Sequence, residues 1–205
     1  MAFETLIRWA GGLLAYFTLA LVLYGVWRGS RRQAGRTTGR TGRFLRSFWF
    51  YLVSAVLFFA IAYFGWAPLP WSISQRVQSL MLAFGSLLYF PGMAVAIWAR
   101  MTLGDNYFVS TGFGAQLFKD HQLVTNGPFA IVRHPMYAGL ILASVGALLI
   151  YFTWTTLYFA LFSPLTIVRA RREEQALAEE FGEQWQRYCS QVPMLIPQLR
   201  KEHHA

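Results

Sequence analysis

Apolar positions along this chain come in long unbroken blocks rather than in strand-like alternation or the narrow stripe of a soluble helix. The blocks are residues 6–27, 48–66, 77–99 and 136–168. Each of the first three is long enough to cross a bilayer once, because a helical span needs about 20 apolar residues. The fourth covers 33 residues. As one helix it would be about 50 Å long against a hydrocarbon core of about 30 Å, so it is predicted to fold back on itself. Thr153, Thr155 and Thr156 interrupt the aliphatic run and place the turn at residues 151–155. The pattern therefore predicts an all-α polytopic membrane bundle of about five transmembrane helices, the last two being 136–152 and 154–168.

Beyond residue 168 the pattern changes to a charged helix with an apolar stripe. Positions 174, 177, 181, 185, 188 and 192 fall within about 40° of one line at 100° per residue. Glu174 lies in that stripe and is expected to be the more buried of the two glutamates. Glu173 lies on its flank, one turn from Arg169. Pro193 and Pro197 end the helix. Between the third and fourth blocks, residues 100–133 are rich in β-formers and glycine, which predicts an irregular or partly extended segment. Pro91-Gly92 predicts a kink or break in the third span, Gly127-Pro128 a turn, and Pro135 the first turn of the fourth span. No internal repeat or soluble domain is visible, so residues 1–205 form a single membrane domain: three spans in 1–99, and the chemistry-bearing region in 100–205.

Composition agrees: 56% of the 205 residues are hydrophobic and 13% charged, too little polar surface for a soluble globule. The net charge of +9 sets an orientation. With the N-terminus outside, only Arg8 and Arg76 of the 18 Lys and Arg residues fall on the outer side, which predicts a cytoplasmic C-terminus. Seven arginines lie between positions 28 and 46, interleaved with glycine. They read as a topogenic loop in contact with anionic lipid rather than a nucleic-acid arm. The first block has an apolar core longer than a signal peptide's and no small-residue cleavage site, so it reads as a retained anchor. Cys189 is the only cysteine, which excludes an intramolecular disulfide and a thiolate metal cluster. His121, His134, His203 and His204 form no metal-ligand pattern, and the last two read as a tail.

A hairpin in the fourth block returns the chain to one side of the membrane, so Arg133, His134, Pro135, Met136 and Tyr137 enter beside Arg169, Glu173 and Glu174. Cationic groups there suit a ligand carboxylate, and a glutamate suits hydroxyls or an ammonium. Nearby aromatic rings suit a sulfonium. Taken singly, each residue has a plainer role: interfacial anchor for Arg133, His134 and Tyr137, solvated helix face for the glutamates.

Several short motifs occur here in a fixed order: residues 121–129 (His-Gln-Leu-Val-Thr-Asn-Gly-Pro-Phe), 133–139 (Arg-His-Pro-Met-Tyr-Ala-Gly), 173–177 (Glu-Glu-Gln-Ala-Leu), Phe181-Gly182 and Val192-Pro193. Over residues 103–197 the chain resembles the isoprenylcysteine carboxyl methyltransferase and phospholipid methyltransferase superfamily. The resemblance implies S-adenosylmethionine as cofactor. It would be held by His121, Gln122, Leu123 and Val124, by Phe129, by His134, Pro135, Met136 and Tyr137 beside Arg133, and by Glu173. The stripe adds Glu174. Arg169 would face a lipidic or prenylated methyl acceptor arriving from the bilayer, with isoprenylcysteine-type carboxyl methylation foremost and a phospholipid amine or small thiol as alternatives. Phe129 stands where the family often has tyrosine, so only ring packing carries over. Two rival readings are an NADPH-dependent sterol-type reductase, which generally has more spans, and a non-catalytic lipid-binding protein. No metal or nucleic acid is implied.

Overall fold

A computed structural model describes residues 2–31, 48–107 and 122–198. His121, the arginine-glycine segment at 32–47, and His203 and His204 lie outside the described residues. The described chain is helical, with one isolated β-bridge between Pro68 and Thr153. Its six α-helices are α1 (Ala2–Ser30), α2 (Phe48–Phe64), α3 (Gln75–Leu103), α4 (Pro135–Tyr151), α5 (Trp154–Phe162) and α6 (Thr166–Gln191).

The segments Ala2–Arg28 and Gln75–Asn106 are long and apolar enough to cross a membrane, and two shorter apolar helices, Trp49–Phe64 and Pro135–Tyr151, accompany them. Large apolar side chains cover the outside, including Phe3, Trp9 and Tyr16 on α1, Tyr63 and Phe64 on α2, and Leu87 on α3. So continuous an apolar surface suits lipid rather than water.

The centre of the bundle is the seam between α3 and α4. A Cβ on Gly92 would lie 2.7 Å from the Gly139 carbonyl oxygen, and one on Gly139 would lie 2.5 Å from that of Gly92. One step along, a Cβ on Gly85 would sit 2.9 Å from the Gly146 carbonyl, and one on Gly146 would sit 2.5 Å from the Tyr89 nitrogen. Backbone therefore rests on backbone, the arrangement small residues permit between helices in lipid. Tyr89, Met93, Ala143 and Ile150 fill the space beside the seam, with Ile7 and Leu14 of α1 packed on them. Tyr89 and Tyr151 donate hydrogen bonds to the Gly11 and Arg8 carbonyls at 2.7 Å each, tying α1 to this core. The expected break at Pro91 does not occur. Helix α3 runs through it, with Gly92, the next residue, packed directly on the α4 backbone.

The predicted turn in the fourth block is present. Phe152 adopts a left-handed conformation (φ 52°, ψ 51°), and Thr153 caps α5 through a reciprocal pair with Thr156. The end of α2 clasps this turn: Trp154 N–H donates to the Ala67 carbonyl at 3.1 Å and the Thr155 hydroxyl to that of Ala62 at 2.6 Å. The predicted fifth span differs. Helix α5 has nine residues, about 14 Å, too short to cross alone. Pro164 then enters a 3-10 turn, Ser163–Leu165, since it cannot donate to a continuing helix. Helix α6 is also interrupted, at Gly182 (φ 47°, ψ −118°), so the stripe is two helical faces joined at a bend rather than one line.

Candidate active site

Helix α4 begins where Pro135 takes the first helical position and His134 the N-cap, as the sequence suggests. The backbone leading in is fixed by the end of the chain's last described segment. Arg133 N–H donates to the Pro193 carbonyl at 2.8 Å and His134 N–H to that of Met194 at 3.0 Å. The Arg133 guanidinium reinforces this, with Nη1 donating to the carbonyls of Val192 at 2.7 Å and Cys189 at 3.2 Å. These are the carbonyls just beyond or within the last turn of α6, which lack helical partners.

The same arginine reaches Glu174 through Nε at 2.8 Å. His134, only 6% exposed, then stands between two carboxylates. Its Nε2 is 3.1 Å from Glu174 Oε1 and its Nδ1 is 3.8 Å from Glu173 Oε2. Tyr137, one turn into α4, stacks on His134 with ring centroids 5.7 Å apart and donates its hydroxyl proton to Glu173 at 2.5 Å. Arg169, one turn before Glu173 on α6, holds its Nε 3.7 Å from Glu173 Oε1 and its guanidinium 6.0 Å from the Tyr137 ring centre. The fold thus brings Arg133, His134, Tyr137, Arg169, Glu173 and Glu174 into one cluster from two segments that the α4–α5 hairpin returns to the same end of the bundle. Their side chains do not gather as a chelate: among the described residues no three His, Cys, Asp or Glu groups are arranged to hold a metal ion.

The two glutamates are electrostatically unlike. Burial pushes the Glu173 carboxyl above its ordinary value, only partly opposed by the Tyr137 hydrogen bond and the His134 and Arg169 charges. Burial also acts on Glu174, but hydrogen bonds from His134 and Arg133, together with their charges, outweigh it and hold the carboxyl below its ordinary value. Helical periodicity made Glu174 the more buried of the two. In the structure Glu173 is 18% exposed and Glu174 21%. The wheel measured direction from the helix's own apolar stripe, whereas Glu173 is covered by Tyr137 from α4.

The remaining candidates lie along the adjoining segment. Gln122 is exposed and its backbone N–H donates to Asn106 Oδ1 at 3.2 Å. Leu123 packs against the cluster of Trp185, Tyr188 and Val192, and Val124 is half-buried. Phe129 is buried, and its carbonyl accepts the Tyr188 hydroxyl at 2.6 Å. Pro135 is fully buried and Met136 half-buried. Residue reading missed the part played by the carbonyls of Cys189, Val192, Pro193 and Met194, because backbone acceptors carry no residue signature. Tyr107 was also missed. It is buried just past the 3-10 turn Gly104–Asn106 that follows α3, where the charges of Arg100, Arg169 and Glu173 all act on its hydroxyl.

Fold and site together define a lipid-facing helical bundle with a carboxylate-rich polar cluster at one end. A family model for phospholipid methyltransferases matches residues 80–184, just over half of the chain, and the chain belongs to that family. Curated relatives include the protein-S-isoprenylcysteine O-methyltransferase of Schizosaccharomyces pombe, 38% identical over 81 residues that cover 38% of this chain and 34% of that protein. The methanethiol S-methyltransferase of Pseudomonas deceptionensis is 27% identical over 167 residues, 74% of this chain and 59% of that protein. A Delta(14)-sterol reductase of Mus musculus is 37% identical over 162 residues, 64% of this chain and 35% of that protein. The chain therefore spans between about a third and three fifths of the length of these relatives.

Proposed function

We propose that this chain is an integral membrane methyltransferase that uses S-adenosylmethionine and methylates a lipidic or prenylated acceptor, with an isoprenylcysteine-type carboxylate foremost. The observation that carries the reading is the position of His134 between Glu173 and Glu174, which joins the two motifs of the resemblance into one polar site. The donor set suits the cofactor's groups: carboxylates for ribose hydroxyls or an ammonium, cationic side chains for a carboxylate, and an aromatic ring pair for a sulfonium. Glu173 fits particularly well, since a buried carboxyl with its proton affinity raised gains most from a cation brought beside it. Gln122, Leu123, Val124 and Phe129 with His121, then Arg133 to Tyr137, and Glu173 with Glu174, are the residues assigned to hold the cofactor. When bound, S-adenosylmethionine supplies an electrophilic methyl carbon.

The chain's own task is alignment and exclusion of water. Arg133 fixes Glu174 and the end of α6, and Tyr137 orients Glu173. Arg169, on the bundle side of Glu173, orients the acceptor. A carboxylate acceptor needs no base, being already anionic, whereas a thiol must lose a proton first. A small thiol acceptor is the second reading, favoured by the longer match to the methanethiol enzyme. The basic residues support an outer N-terminus and a cytoplasmic site. Cysteines placed singly at Arg133 and Arg169 in a Cys189→Ser background should both label from the cytoplasmic side, and labelling from opposite faces would overturn that topology.

The deciding experiment titrates purified protein with labelled S-adenosylhomocysteine and, separately, NADPH. Saturable binding of the first alone is expected. Binding of NADPH alone would replace methyl transfer with the reductase reading, and binding of neither would favour a non-catalytic lipid-binding protein. Turnover with a farnesylcysteine analogue against methanethiol then separates the two acceptors.

A further inference from the structure

Between the C-terminal turns of α1 and α3 lies a cavity of about 170 Å³ that borders the candidate active site at Tyr107 but includes none of the residues assigned to the cofactor or the acceptor. Leu21, Tyr24 and Met101 form its apolar flank, and Arg28, Arg100 and Asp105 its polar one. Tyr24 and Met101 are largely exposed on the lipid-facing surface, and the Arg28 and Asp105 side chains are about half exposed at the rim. The opening is therefore amphiphilic, with one side toward hydrocarbon and the other toward the polar boundary.

Arginine in a helix's last turn commonly answers the terminal carbonyls and nothing more. Arg100 is seated more elaborately. Its guanidinium lies against α1 at Gly25, where a Cβ would collide with it, and it stacks 4.1 Å above the Tyr107 ring centre. Two helices and an aromatic ring thus fix the orientation of one guanidinium. A guanidinium has five N–H donors, yet the described protein acceptors occupy one, the Gly104 carbonyl, at a long 3.3 Å. Asp105 pairs with Arg28, at 3.1 Å, and its charge also acts on Arg100. Arg28, Arg100 and Asp105 therefore leave the lining with one net positive charge. The volume is several times the roughly 30 Å³ share of a water molecule but below the roughly 300 to 1,000 Å³ of sites for drug-sized ligands. It is sized for a small headgroup.

We propose that this cavity binds a net-anionic phosphate group, presented by a lipid headgroup that carries no cation of its own or free in solution, with Arg100 as its principal donor and Arg28 as the rim charge. The net positive lining disfavours a headgroup whose own ammonium cancels the phosphate. The partial negative charge of the helix termini opposes an anion, but it is a fraction of the charge on either guanidinium. The site stands independently of the methyltransferase reading.

Calorimetric titration of the full chain in neutral maltoside micelles tests it with dihexanoyl-phosphatidylglycerol, dihexanoyl-phosphatidylcholine and inorganic phosphate. Phosphatidylglycerol should bind saturably and at least about tenfold more tightly than the zwitterionic lipid, a charge-assisted difference. Phosphate binding as well as phosphatidylglycerol assigns the site to a free anion, and phosphatidylglycerol alone assigns it to lipid; either supports the proposal. Arg100→Gln should weaken binding about tenfold or more. Arg28→Gln, an exposed change that removes the rim charge, should also weaken it and keeps the test decisive if the first variant misfolds. Arg76→Gln, at the opposite end of α3, should bind as wild type, and S-adenosylhomocysteine binding should be unchanged in Arg28→Gln and Arg76→Gln. Equal affinity for phosphatidylcholine, or wild-type affinity in Arg28→Gln, overturns the proposal.

Discussion

Helix α4 makes two kinds of contact within a few residues of each other. At Gly139 and Gly146 it lies backbone to backbone on α3, with no room for a side chain. At His134 and Tyr137 it meets α6 through hydrogen bonds and ion pairs among groups that are mostly, but not wholly, buried. The seam has a single solution set by van der Waals contact, and it fixes where α4 points. The cluster consists of titratable groups whose balance shifts with a neighbour's charge. A rigid seam next to a tunable cluster is what a binding site needs, since the ligand-facing groups are then held by an element that does not itself respond to the ligand.

The contrast predicts that the seam fails by unfolding and the cluster by losing ligand. Gly139→Leu should cause the largest effect, because the added side chain meets the Gly92 carbonyl rather than a movable side chain. A loss of about 3 kcal/mol or more is expected, the upper range for overpacking, read as thermal unfolding in detergent. An unfolding temperature near wild type would show that the seam can yield and would remove the contrast.

In the cluster, Glu173→Gln keeps the shape and removes the charge. It should weaken S-adenosylhomocysteine binding by roughly ten- to a hundredfold, corresponding to about 1.5–3 kcal/mol for a charge-assisted hydrogen bond, with the fold intact. His134→Ala should also lose affinity, and undiminished binding would return His134 to an interfacial anchor. Arg169→Gln should leave affinity within about twofold and lower turnover, if its partner is the acceptor. Should Glu174→Gln alone lose binding in calorimetry, the ligand role belongs to Glu174 and Glu173 is its support.

The smallest effect is a pH dependence of opposite sign at the two glutamates. Glu173 titrates above 4.5 in the folded protein, so the unfolded chain gives up its proton first. Stability is then lost as pH rises from 4.5 toward the folded value, and wild type should fall relative to Glu173→Gln in that window. Glu174 titrates below 4.5, so its contribution is present above 4.5 and lost as pH falls through its folded value, where wild type should fall relative to Glu174→Gln. Parallel pH profiles for the two variants would show that the glutamates share one environment.

The sequence by itself determined the helical class, the apolar blocks, the fold-back at Thr153 and the start of α4 at Pro135. These depend on hydrophobic length and on local backbone chemistry that a few adjacent residues settle. It also placed both halves of the site at one end, because a hairpin leaves its two arms on the same side. Tertiary structure alone decided the rest. Helix α3 continues through Pro91 without a break, with Gly92 packed against α4. The apolar run after Trp154 breaks at Pro164, and the stripe bends at Gly182, where a periodicity that assumes one straight axis no longer holds. Which glutamate is the better covered was beyond the wheel for the same reason: the wheel knows α6, while the cover over Glu173 is Tyr137 of another helix. Arg133 shows the limit most plainly. Its charge was legible, but its acceptors are main-chain carbonyls at Cys189 and Val192, groups every residue carries and only a folded chain can aim.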